Sequence, residues 1–285
     1  MNRKLFVSRI TKMVVFTIVC AITAAFALPA AAVTMSDLMK YLPENAQVVV
    51  GIPDIQAVEE AGAPLMNIGP LSEISNLAWE LGGDTLSEGL TKNGVKAAAP
   101  GVVFLAAASE NDISVGGVLM VEDEALVKES IAGLLSSEGT EIELTGEIKG
   151  SFNSADDVGY FINDGKLFVA SSESLLQQLA ARVATPAEVN YVAKDEVIIW
   201  SRIDILENSN ILSMADELAY LKPLFNSLKP FSDEVLVAIG EDAGQAYVRV
   251  AARDSSGTAI ESPGPLSLHG YMDAAAPVLV NLRIT

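Results

Sequence analysis

The strongest constraint on this fold is a short pattern that the chain uses more than once. Tyr41-Leu-Pro-Glu-Asn-Ala-Gln-Val48 aligns without gaps on Tyr271-Met-Asp-Ala-Ala-Ala-Pro-Val278, and both run on as apolar stretches, Val48–Ile52 and Val278–Leu282. A further copy starts at Tyr191, with one residue fewer before Val197–Asp204. That copy matches Val278–Thr285 without gaps, and Arg202 falls on Arg283. Self-similarity of this kind is the mark of a supersecondary unit used again, so an internal repeat starting near residues 41 and 191 is expected. The segments after these starts agree as well. Asp54 opens IQAVEEAG and Asp204 opens ILENSNILSMADELAYL, both helix-like, and Asp at such a point accepts from the first free N–H groups of a helix. Ser213 with Asp216 resembles a capping box for a second helix, and Pro223 and Pro230 bound that region.

Between these points helical and strand-like segments alternate. Gly101–Ala108 and Ile113–Val121 read as a hairpin across Glu110-Asn111-Asp112. Glu122-Asp123-Glu124 start a helix expected to reach about Ser136, with acids at its positive end. Val158–Asn163 and Lys166–Ala170 flank Asp164-Gly165, the strongest short hairpin signal in the chain. Pairing across that turn sets Ile162 opposite Leu167 and Phe161 opposite Phe168, so both faces are apolar and both should be covered. Ser171 or Ser172 then caps SLLQQLAARV, with Leu175, Leu176 and Leu179 near helical spacing. A last hairpin joins Glu234–Gly240 to Gln245–Ala252. The order is strand, helices, hairpin, helix, three strands, helix, strand, helices, hairpin. Adjacent hairpins with separated helices predict an α+β fold, with a mostly antiparallel sheet and packed helices, built from repeated strand-helix-hairpin units.

The two ends are different. Arg3, Lys4, Arg9 and Lys12 precede an uncharged run from Met13 to Val33 that ends in Ala30-Ala31-Ala32. A basic n-region, an apolar h-region and small residues at the exit make residues 1–32 a signal peptide cleaved after Ala32. A retained anchor is the competing reading, since such a run could just span a bilayer, and acylation at Cys20 is a third. Residues 255–270, within Asp254–Gly270, form a Ser/Gly/Pro-rich linker. Residues 271–285 then either return as an edge strand or begin a third repeat that this chain does not complete. That leaves residues 33–254 as the α+β exported module, bound for the periplasm, the cell surface or the extracellular space.

Composition narrows the function. The chain has 18 Lys+Arg against 37 Asp+Glu, a net charge of −19, and loss of the four signal cations takes it to −23. No basic stripe exists for phosphate neutralisation, so nucleic acid is not an expected partner. The one Cys leaves with the signal, which rules out an intramolecular disulfide framework or thiolate zinc cage.

At this point the residues resemble a family of exported bacterial proteins of unknown function, marked by a Leu-Pro-x-x-x start before an apolar strand. Here that is Leu42-Pro43-Glu44-Asn45-Ala46 leading into VVVGIPDI, and Asp164–Leu175 (DGKLFVASSESL) is similar to a second family segment. The resemblance covers roughly residues 41–254 and implies an extracytoplasmic module with no catalytic residue to carry over.

The chain has no P-loop, no Gly-x-Gly-x-x-Gly, no Gly-x-Ser-x-Gly elbow and no Ser-x-x-Lys. His269, the lone His, falls in the linker and reads as a surface group. Asp156-Asp157 and Glu59-Glu60 are adjacent pairs whose side chains should diverge. Arg202 and Arg283 read as strand-edge charges rather than anion clamps, and Trp200 and Trp79 as packing residues. No catalytic, cofactor-binding or metal-binding residue is assigned and no cofactor is expected. The function expected is that of an exported non-enzymatic module acting on an unidentified protein or envelope partner, touching the membrane only through an uncleaved signal. An exported hydrolase using acidic residues with calcium and a carrier of an apolar ligand are the alternatives.

Overall fold

A computed structural model describes residues 34–62, 81–109, 112–135, 139–187, 197–202, 234–242 and 245–253. The signal segment, Trp79, the helices expected after Asp204, His269, the linker and the third strand start lie outside the described residues.

Ten strands form one sheet. In chain order they are β1 (Ala46–Ile52), β2 (Gly101–Ser109), β3 (Asp112–Met120), β4 (Thr140–Glu143) and β5 (Lys149–Asn153). The other five are β6 (Val158–Asn163), β7 (Lys166–Ala170), β8 (Val197–Arg202), β9 (Glu234–Asp242) and β10 (Gln245–Arg253). Their spatial order is β10-β9-β8-β1-β2-β3-β7-β6-β5-β4. Every neighbouring pair is antiparallel. Five described helices accompany the sheet: α1 (Met35–Met39), α2 (Ile55–Gly62), α3 (Leu86–Lys92), α4 (Glu124–Leu134) and α5 (Glu173–Ala184). The fold is α+β.

β8 and β1 stand side by side as the third and fourth of the ten strands in spatial order. β1 lies between β8 and β2, with Val50 opposite Ile199 on one side and Val103 on the other. Outward from this pair, β1 leads to the hairpin β2–β3 and β8 leads to the hairpin β9–β10. All four hairpin strands are nine residues long.

Strand alternation sends each sheet residue to one of two covered faces. On the first, Phe104, Phe161, Phe168 and Ile198 are essentially inaccessible and pack with Leu38 of α1 and Leu176 of α5. Burying a Leu side chain of this kind stabilises by about 1.5–3 kcal/mol. On the second, Leu167 packs with Val127 of α4 and with Val95. The Phe104 ring occupies the space above Gly116, where any side chain would collide with it. The β6–β7 turn has Asp164 at φ 49° and Gly165 at φ 65°, the left-handed pair that a two-residue hairpin requires. Ile162 stands opposite Leu167 and Phe161 opposite Phe168, as the sequence predicts.

Four details depart from the expectations. Four strands, not three, lie between α4 and α5. The sequence sets bounds only for β6 and β7, and not for β5 or for the edge strand β4, where Glu141 and Glu143 hide any apolar alternation. α1 was not expected, although Thr34 and Asp37 form a capping box. α4 stops at Leu134 rather than near Ser136, because Leu135 is already extended at ψ 147°. The last hairpin runs to Asp242 and Arg253, which shortens its connection to Ala243-Gly244.

Candidate functional site

The described residues bury few polar side chains, and each has a structural position. Those described are Asp54, Glu59, Ser114, Asn153, Asp156, Lys166, Ser171 and Ser201.

The densest cluster sits where α1 meets the β6–β7 turn. Lys166 shares its strand face with Phe168, so period two carries its side chain inward, where it is 10% exposed. Its Nζ donates to the Asp164 carbonyl and to Asp164 Oδ2, both at 2.9 Å. It also lies 6.0 Å from the centroid of the Tyr41 ring, and Lys40 Nζ lies 5.4 Å from the same ring. Tyr41 meets Phe168 edge-on at 5.3 Å, and Phe168 stacks on Phe161 at 4.5 Å. An electron-rich ring face attracts cations, so Tyr41 joins the apolar core to the charged rim.

The charges in this corner balance. Lys40 is 3.7 Å from Asp37, and Asp164 is held by Lys166. The Lys166 hydrogen bond, and then the Lys166 charge, hold the Asp164 carboxyl below its ordinary value of 3.8. Asp37 is lowered too, first by the Thr34 backbone N–H and then by the Thr34 hydroxyl. Both are ordinary anions at neutral pH, and neither is poised as a general acid.

The other buried groups tie elements together. Ser171 Oγ accepts from Val115 N at 2.8 Å, while Ser171 N donates to Val115 O. Ser172 is the N-cap of α5, accepting from Leu175 N, and its hydroxyl lies 2.9 Å from Ser114 Oγ. Glu59 accepts from Leu86 N at 2.5 Å, from Ser87 N at 2.8 Å and from the Ser87 hydroxyl. A carboxylate there satisfies the free donors of the first turn of α3. Asp54 accepts from Ala57 N at 2.8 Å and caps α2. Asn153 Oδ1 accepts from Ala155 N and Asp156 N, closing a turn. Asn45 donates to Ala107 O at 2.6 Å, and its buried Oδ1 has no partner among the described residues.

The residues singled out by sequence take separate places in the fold. Glu59 turns inward to α3, whereas Glu60 accepts from Gln56 at the surface, so that pair diverges. Asp156 is buried beside Asp157, which sits at φ 51° in the β5–β6 turn. Arg202 is exposed at a register position opposite Glu234. Trp200 is half-buried against the core, and its indole N–H donates to Glu234 at 3.2 Å. Among the described residues no group of three or more His, Cys, Asp or Glu is placed to hold a metal ion. No described helix is long and apolar enough to cross a membrane.

Two roles were missed from sequence although a signal existed for each. Lys166 breaks an otherwise apolar strand at the position sharing a face with Phe168. Glu59 shares the apolar face of α2 with Ile55 and Val58, at spacings of four and one.

No family profile matches this chain, and no curated protein does. One solved structure, titled "Structure of crystal form IV of TP0453", aligns at 8% identity with a TM-score of 0.41. The alignment covers 75% of this chain and 78% of that one. A likeness of that strength carries no functional inference.

Proposed function

We propose that this chain is an exported, non-catalytic module that acts by interaction or assembly at the bacterial cell envelope. The reading is carried by the use made of the buried polar side chains. Glu59, Asp54, Ser171 and Asn153 are committed to backbone N–H groups, and Lys166 to a turn carbonyl and carboxylate. A catalytic side chain has to face a substrate, whereas these face the fold. The basic, then uncharged, then small-residue N-terminal segment supports export, and the Leu42-Pro43 strand start supports membership of the exported family it resembles.

The module is a duplicated strand-helix-hairpin unit. In support, setting the strand start Val48 on Val197 matches Val50 to Ile199, and these two residues lie opposite each other in an antiparallel pair. A two-fold relation between two units produces that arrangement, and equal nine-residue hairpins flank it.

The test has two arms. Intact-mass measurement on protein recovered from the bacterial periplasm should find a chain beginning at Val33. Cross-linking in intact cells should then trap an envelope component at fixed stoichiometry, and the purified chain should bind that component. Substrate turnover by the purified chain that is lost on Asp157→Asn or Glu60→Gln, with the fold intact, overturns the non-catalytic reading.

A further inference from the structure

We draw no further inference here: the strongest candidate, the outer edge of β10 at one end of the sheet, corresponds to the β3 edge that β7 fills, but nothing among the described residues shows what covers it.

Discussion

Val50 of β1 and Ile199 of β8 lie directly opposite each other in the ten-stranded sheet, where these two strands pair antiparallel. Val50 is 1% exposed, so the contact is part of the core. Val50→Ala removes two methylene-sized groups at about 0.8 kcal/mol each, and the cavity left behind raises the loss to about 2 kcal/mol. Combined with Ile199→Ala, a double-mutant cycle in urea should give a coupling of about 0.2–1 kcal/mol. A coupling of zero would mean that the two strands do not meet in this register.

Gly116 and Phe104 supply a second test. The ring lies where a side chain at 116 would have to go, so Gly116→Val should overpack the core by about 1–3 kcal/mol. Phe104→Leu should recover part of that loss when the two changes are combined. The urea midpoints of the two single variants and the double variant decide it, and additive losses would speak against the contact.

Glu59 joins α2 to α3 through Leu86 and Ser87. Glu59→Ala leaves the first-turn donors of α3 without this partner and should cost about 1–3 kcal/mol. Glu59→Gln, which keeps one acceptor oxygen, should cost less. Hydrogen exchange should accelerate first at the amides of Leu86 and Ser87, and unchanged protection there would rule out the linkage.

Asp164 makes a prediction about acid. Its folded pKa is lowered, so its contribution is present above the unfolded value and is lost as pH falls through the folded one. The effect on stability should be small because the carboxylate is solvent-screened. NMR titration should find its carboxyl below 3.8, returning toward that value in Lys166→Met. No change in Lys166→Met would show that the hydrogen bond is not the cause.

Much of the fold is legible in the residues because local chemistry and burial agree there. Asp164-Gly165 fixed a turn, and the turn fixed the register that places Phe161 opposite Phe168. Ser172, and not Ser171, caps α5, a choice the sequence left open because both precede the same helix. β4 was missed because an edge strand carries charges for its own protection and loses the apolar alternation that reveals other strands. The Lys166–Tyr41 contact was missed because its partners come from distant parts of the chain, and spacing along one strand says nothing about what covers it.

The sequence by itself determined the class of the fold, the three hairpins and the helix starts at Asp54 and Asp123. Each of these depends on groups only a few positions apart, where backbone geometry and hydrogen-bond reach leave little choice. Only the tertiary structure decided that β1 and β8 pair with each other, that Glu59 serves a neighbouring helix and that Lys166 turns inward beneath Tyr41. Those outcomes depend on which faces come together when one continuous sheet forms, and contacts between distant segments are set by the burial of whole faces rather than by any local pattern.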